Sequence, residues 1–454
     1  MRSTVLLTCL LATSLSTDLA SATVTQQEAQ QLKTTLTPFG AEKAGNKDGT
    51  IPPWTGGFTQ LPAGVKATGP MPDFFASDPK RLTINAANAS QYADKLSDGT
   101  MRMLKGMPGF HIDVYPTHRT ASAPQWFYDG TFANATAAKL IDNNWVGGAQ
   151  PGIPFPIPKN GKEVALNGDL NWRGTQTQAT TATYIIGPSG GAEFAAETKD
   201  YRWEPYNDPS NVNGPDRNYY LLAREDTIGP PNRVGETILS WQTFNEELAP
   251  QLTWQYLVGQ RRLRKAPQVT YDGAYPDCGG IVTDDELDVW NGPPDRYDMT
   301  IVGKKEMFVP YNNNKIAHDT QARLLGPRYL NPDDIRWELH RVWVVSFTLA
   351  PGKRHLLPYR TVYFDEDSWA PTLADDYDSG HTLWKSTQGY QNVNPGFPAS
   401  YVSSQATFDM KGGGYCAERM VTTDRPGEHP AVPLLPAQPP SFFQPETIAA
   451  EAVR

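Results

Sequence analysis

Hydrophobic and polar positions alternate most cleanly over residues 342–349, where Trp343, Val345, Phe347 and Leu349 recur at every second position, with the smaller or polar Val342, Val344, Ser346 and Thr348 between them. A period of two places successive side chains on opposite faces, so this stretch predicts a half-buried strand. Ala350-Pro351-Gly352-Lys353 supplies a turn, because proline fixes φ for its second position and glycine accepts the positive φ that can follow. Strands then follow over 358–364 and 369–377, with Asp365-Glu366-Asp367-Ser368 between them, and extended chain resumes over 381–384 after Asp378-Ser379-Gly380. Residues 336–384 therefore read as an antiparallel meander. The acidic runs Asp365-Glu366-Asp367 and Asp375-Asp376-Tyr377-Asp378 fall on its turns, where Asp is favoured for backbone reasons alone.

A second clean alternation covers 252–258, with Leu252, Trp254, Tyr256 and Val258 on one face and Thr253, Gln255 and Leu257 on the other. Further strands are predicted over 171–186, 193–203, 219–224 and 236–244. The turn Gly187-Pro188-Ser189-Gly190-Gly191 lacks the G-x-S-x-G spacing of a nucleophile elbow. Helices are predicted over 25–36, over 86–105 with a possible break at Asp98-Gly99, and over 134–145, where Ala138, Ile141 and Trp145 form one stripe. The run Pro151-Gly-Ile-Pro-Phe-Pro-Ile-Pro-Lys159 is too proline-rich for a central strand and predicts a surface arm or a sheet edge. From residue 423 the chain is Pro-rich and predicts an extended tail, with Phe442 and Phe443 available to dock on the body. These elements imply an α+β protein built on one large curved antiparallel sheet with N-terminal helices across its concave face.

Composition narrows the function classes. The 40 Pro and 38 Gly of the 454 residues imply many turns rather than long helices, while 12 Trp, 20 Tyr and 17 Phe allow a substantial core. A net charge of -9 without a basic face argues against nucleic acid as a partner. Arg2, the apolar run 5–15 and Ala20-Ser21-Ala22 form a secretory signal, predicting a mature chain that begins near Thr23, in the periplasm, with Cys9 removed. Cys278 and Cys416 then remain in an oxidising compartment, and a disulfide between them is predicted. No C-x-x-C and no paired histidine spacing points to a metal, and the seven histidines are scattered. The acidic run 284–288 lacks the glycine and spacing of a calcium loop. No cofactor motif is present.

The strand, the Tyr-Phe-Asp-Glu-Asp-Ser-Trp hairpin and the strand closing on Asp-Asp-Tyr-Asp-x-Gly resemble the large-sheet repeat of Lol-type lipoprotein carriers. Nearly the whole mature chain is similar to a periplasmic family of unknown function that itself resembles the outer-membrane lipoprotein-sorting proteins. The likeness is carried by LTPFGAEKAGNKDGTIPPWTGG from Leu36, AANASQYADKLSDG from Ala86, PFPIPKNGKE from Pro154, WQYLVGQRRLRKAP from Trp254, DRYDMTIVGKKEMFVPYN from Asp295 and the meander. The resemblance implies an incomplete β-barrel with helices at its mouth, in one β-rich domain over 23–422 with a tail over 423–454.

Function follows as an expectation: a periplasmic binding or carrier protein for a lipid or other apolar molecule, linked to outer-membrane transport or assembly, whose partners would include a membrane transport protein. The candidate contacts are Leu252, Trp254, Tyr256, Val258, Trp343, Val345, Phe347 and Leu349, read as one continuous apolar face. Arg261-Arg262-Leu263-Arg264-Lys265 reads as a strand edge charged against pairing, or as a contact for anionic lipid. A periplasmic hydrolase is the alternative, for which Asp295, Arg296, Glu338 and His340 are the first polar candidates. A third reading is an accessory subunit of an outer-membrane export complex.

Overall fold

The computed structural model describes residues 24–66, 71–211, 218–244, 249–266, 271–424, 432–433 and 437–451. The predicted secretory signal and its cleavage site lie outside these residues. In chain order the strands are β1 (Leu82–Ile84), β2 (Ile112–Val114), β3 (Lys139–Ile141), β4 (Trp145–Gly147), β5 (Gln176–Ile186), β6 (Ala192–Trp203), β7 (Tyr219–Gly229), β8 (Thr237–Thr243), β9 (Leu252–Leu257), β10 (Arg262–Lys265), β11 (Tyr297–Pro310), β12 (Arg336–Leu349), β13 (Tyr359–Asp365), β14 (Pro371–Tyr377), β15 (Leu383–Asn394), β16 (Ala399–Asp409), β17 (Tyr415–Met420) and β18 (Val432–Pro433). The α-helices are α1 (Gln26–Ala29), α2 (Asp98–Gly106), α3 (Gln125–Ala137), α4 (Gly161–Asp169), α5 (Gln321–Leu324) and α6 (Pro445–Glu451).

Among the described residues 16 strands join one sheet, in the order β1-β2-β12-β13-β14-β15-β16-β17-β5-β6-β7-β8-β9-β10, with β11 on the other edge of β12 and β18 beside β5. Every neighbouring pair is antiparallel except β2 with β12. Among the described residues β1 and β10 end the path, each with a strand on one edge alone, so the sheet is an incomplete barrel in an α+β protein. It curls nonetheless, because β11 approaches β14 and β15 several strands away. Register shifts between β11 and β12, β5 and β6, and β6 and β7 supply the bends, since an extra residue on one strand of a pair kinks it.

The meander lies where its alternation predicts it, although β12 starts at Arg336, ahead of the clean period. Residues 336–340 are buried on both faces, so charged and apolar residues follow one another there without alternating. The N-terminal helices differ more. α1 gives way to a 3-10 turn after one turn, and the 86–105 helix is a 3-10 segment followed by α2, which starts rather than breaks at Asp98-Gly99 because Ser97 caps it by accepting from the Thr100 amide. The helix predicted over 134–145 is instead α3, which ends at Ala137 and passes into the hairpin β3–β4. Pro124 opens α3, and Asn134 ties its end to the next loop by donating to the Gln150 carbonyl at 2.8 Å.

The proline run 151–159 is no surface arm: Pro151–Pro156 are all buried. Behind them α4 is buried along its whole length. Two glycines allow that approach, since a Cβ at Gly161 would lie 2.5 Å from the Met299 backbone and one at Gly168 would lie 2.6 Å from the Phe364 ring. Around α3, α4 and the inner face of β11–β13, one core gathers Phe39, Phe127, Val164, Trp172, Trp290, Val345, Phe347 and Phe364. α2 packs on β14 and β15, against a second core that includes Met103, Leu104, Leu339 and Tyr390. The docking of Phe443 forms a third core with Trp203, Leu222, Leu239, Tyr256 and Ile448, so the C-terminal segment is part of the body.

Candidate functional site

Strands β5 to β9 turn one face towards the segment 271–292, and between them lies a cavity of about 170 Å³. The period of two decides which residues reach it. Along β9, Thr253 and Gln255 line the cavity, and along β8 Ile238, Ser240 and Gln242 do, whereas Leu239, Trp241, Trp254 and Tyr256 point to the opposite face and pack under the C-terminal segment. Leu221, Ala223, Ile238, Leu287, Val402 and Val421 make an apolar wall. The other end is charged, with Arg173, Arg202 and Arg419 beside Asp200, Glu225, Asp284, Asp288 and Glu418.

Among the points that hold the covering segment, two lie at the cavity or behind it. Cys278 is joined by a disulfide to Cys416 on β17, with Cα atoms 5.5 Å apart and both residues fully buried. Asp288 then accepts from Arg202 at 2.8 Å, from Arg173 at 3.4 Å and from Arg419. Burial alone would raise its carboxyl, but Arg202, Arg419 and Arg173 outweigh it and hold Asp288 far below the usual carboxylate range. The backbone pays for this convergence: Asp288 and Val289 adopt φ of 54° and 71°, and Arg419 opposite adopts 52°. A positive φ at a β-branched residue costs on the order of 1–3 kcal/mol and persists only where its surroundings fix it, and the Val289 amide donates to Gln405 Oε1 at 2.7 Å.

The remaining carboxyls of the cavity behave in the opposite way. Asp200 and Glu225 are direct partners across β6 and β7, so both stand on the cavity face. Burial, with the Asp200 and Asp277 charges added, pushes Glu225 up to about 8, and burial pushes Glu418 up to about 8 against the pull of Arg419. Asp284 rises to about 7 through burial and the neighbouring Asp285 charge. The hydroxyl of Tyr275, on the covering segment, donates to Glu225 Oε2 at 3.3 Å. Asp200 Oδ2 accepts from the Thr181 hydroxyl at 2.9 Å, while its Oδ1 is buried without a hydrogen-bond partner.

The predicted apolar face is divided by the fold. Val345 and Phe347 are fully buried, and Trp343 and Leu349 pack beside them in the α3–α4 core. Leu252, Trp254 and Tyr256 share the face of β9 turned away from the cavity, where Trp254 and Tyr256 meet the C-terminal segment, and Val258 is exposed in the turn after β9. These eight residues thus form no continuous ligand surface, because the chain's own α3, α4 and C-terminal segment already cover most of them. Asp295 and Arg296 sit at the far end of the β11–β12 hairpin from Glu338, which pairs with Val309, a distance of roughly 40 Å of strand. Glu338 and His340 join a buried cluster: the His340 ring is 3.1 Å from Glu338, 3.6 Å from Asp365 and stacked on Tyr311.

The acidic runs of the sequence are also resolved into ion pairs. Asp285 binds Arg360 at 2.7 Å and His355 at 3.1 Å, Glu286 binds Lys385 at 2.6 Å, and Arg360 reaches Asp376 at 2.7 Å, all of them buried. Asp367 takes Arg119, and Glu366 takes Lys304. Asp365, Glu366, Asp367, Asp375 and Asp376 are therefore buried, whereas Asp378 sits on the turn after β14 and accepts there from the Gly380 and Thr382 amides, as a turn aspartate does. Arg262 and Arg264 are exposed on β10, the end strand, as a charged edge requires. The cavity charges were missed because the expectation followed the apolar face of each strand. Their signal was present in Asp200 and Arg202, ionisable residues two apart inside the predicted strand 193–203.

The family described as Protein of unknown function (DUF1329) matches the chain over residues 83–449. An uncharacterized protein of Pseudomonas aeruginosa, PA3922, is 37% identical over 431 residues, covering 92% of each chain. Among solved structures, a DUF1329 family protein from Desulfovibrio piger is 12% identical over 63% of this chain and 97% of its own, with a TM-score of 0.44. A LolA superfamily protein from Nitrosomonas europaea is 10% identical over 63% of this chain and 98% of its own, with a TM-score of 0.37. Among the described residues no helix is long and apolar enough to cross a membrane.

Proposed function

The chain belongs to the DUF1329 family, and from that premise we propose that it is a periplasmic binding or carrier protein for an amphipathic or apolar molecule, serving outer-membrane transport or assembly. The observation that carries this reading is the cavity, which puts an apolar wall and a charged end in one enclosed space. Its volume of about 170 Å³ bounds the cargo. A cavity of roughly 150 Å³ holds a benzene ring, so the space suits a ring or a single short chain rather than a two-chain lipid. The secretory signal read at the N-terminus supplies the periplasmic location, and the folded unit is taken as one domain over 23–422 with the tail packed onto it.

The test is mass spectrometry of organic extracts from protein purified out of its native periplasm, with Ala223→Trp, which fills the cavity, as the control. A single-chain or ring compound recovered from the wild type and absent from the variant is the expected result. Extracts that are alike and empty would overturn it. A second reading, hydrolysis, is favoured by one feature, the facing carboxyls of Asp200 and Glu225 with Glu225 held protonated to about 8, as a general acid beside a base would be. Turnover of aryl glycosides or esters that is lost in Glu225→Gln would support it, and its absence would reject it.

A further inference from the structure

Resting on the reading of the cavity as the binding site, we infer that its charged end receives a cationic head group, an alkylammonium or amidinium, placed between the carboxyls of Asp200 and Glu225. The two residues are opposed in register on neighbouring strands and face the same enclosed space. Two ionised carboxylates opposite one another in a sheet are destabilising, so the pair is relieved either by a proton on one of them or by a positive group between them.

The hydrogen bonds of the chain's own cations go elsewhere, while Arg202 and Arg419 act on Asp200 and Glu225 through space and Arg419 Nε has no partner. Arg202 and Arg419 both turn to Asp288, and Arg173 divides itself between Asp288 and Glu204, to which it donates at 3.0 Å. Five carboxyls line the cavity beside those three arginines, and Glu225 and Glu418, held protonated to about 8, are acid that an entering cation can draw out. Asp200 is 8% exposed, and its Oδ1 is an acceptor with no donor. A buried acceptor left unpaired is costly, and a ligand N–H would satisfy it. Tyr275, whose hydroxyl reaches Glu225, borders the same space, and an aromatic face favours a cation beside it.

Protonation keeps the empty cavity tolerable. The groups acting on Glu225 are Asp200, Asp277, Arg202 and Arg419, with Tyr275 bonded to it, and burial with the two acids holds it protonated to about 8. A cation entering near neutral pH therefore expels a proton from Glu225, whereas a neutral ligand expels none. The apolar wall of Leu221, Ile238 and Val421 then takes the hydrocarbon.

The experiment is isothermal titration calorimetry of the full mature chain with octylamine, octanol and octanoate below their aggregation limits, near neutral pH and in buffers of different ionisation enthalpy. We expect octylamine to bind at least about ten-fold tighter than octanol, the advantage of a hydrogen bond to a charged partner. Octanoate should bind weakest, and buffer-dependent heats should show proton release for the amine alone. Asp200→Asn combined with Glu225→Gln should make amine and alcohol equal and abolish the release. Equal affinity for amine and alcohol in the wild type, or a preference for octanoate, overturns the cationic head group while leaving the carrier reading intact. Failure of all three to bind overturns both. The wild-type comparison needs no variant to fold.

Discussion

Arg360 shows how much of this protein's polarity is structural. It is 1% exposed in mid-sheet and bridges Asp285 and Asp376, so its removal leaves two carboxyls buried without their cation. Such one-sided loss costs far more than the pair contributes, and Arg360→Ala should lower unfolding stability by roughly 3–5 kcal/mol in urea titrations. The cavity acids predict a pH dependence. An unfolded glutamate ionises near 4.5, while native Glu225 and Glu418 hold their protons to about 8. Between those values the native state binds more protons than the unfolded state, so stability falls as pH rises through the window and the loss is complete above about 8. Asp288 acts with the opposite sign at lower pH: held below its ordinary 3.8, it contributes stability that disappears as pH falls under that value. Denaturation midpoints measured from about pH 5 to about pH 9 should decline, and Glu225→Gln should flatten the decline.

At the scale of elements, the segment 271–292 is the part whose position is least explained by regular structure. It carries short 3-10 turns at Pro276–Cys278 and Asp284–Glu286, and it is held over β5–β7 by the disulfide, by Asp288 and by the ion pairs of Asp277, Asp285 and Glu286. The bridge spans 138 residues, and closing a loop of that length is worth about 5 kcal/mol on entropic grounds, with measured losses for native bridges of about 2–5 kcal/mol. Cys278→Ala should therefore lose about 2–5 kcal/mol, read by thermal unfolding, and reduction of the wild type should give a similar loss. If the covering segment opens for ligand, hydrogen exchange over 271–292 should rise in that variant while β12–β15 stay protected.

Across the whole molecule, the C-terminal segment supplies the outer face of the sheet's second half. Phe443 is fully buried against Trp203, and its carbonyl accepts from the Trp241 indole at 2.9 Å. Arg224 adds a link to Glu451 at 2.5 Å. Phe443→Ala should cost about 3–5 kcal/mol by urea unfolding, as for other large aromatic truncations in a core, and should leave octyl-ligand affinity for the cavity on the opposite face unchanged. A matching loss of binding would show that the two faces of β8 and β9 are not independent.

The meander was legible from residues 342–384 because alternation with period two and Pro, Gly and Asp turns are local properties, written where they act. Strands β5 to β9 were legible for the same reason, and so was the pairing of Cys278 with Cys416, which needed only an oxidising compartment and two cysteines. α4 was not, although Asn160 caps it by accepting from the Glu163 amide, because its two glycines lower helix propensity and serve close contacts visible only once β11 and β13 are in place. The candidate site was the least legible part. Alternation tells that Trp254 and Thr253 lie on opposite faces, but not which face the C-terminal segment will fill and which will stay open. That choice, and the meeting of Asp200 and Glu225 with three arginines from three different strands and loops, depends on long-range packing, so the sequence alone determined the strands and only the tertiary structure decided the cavity.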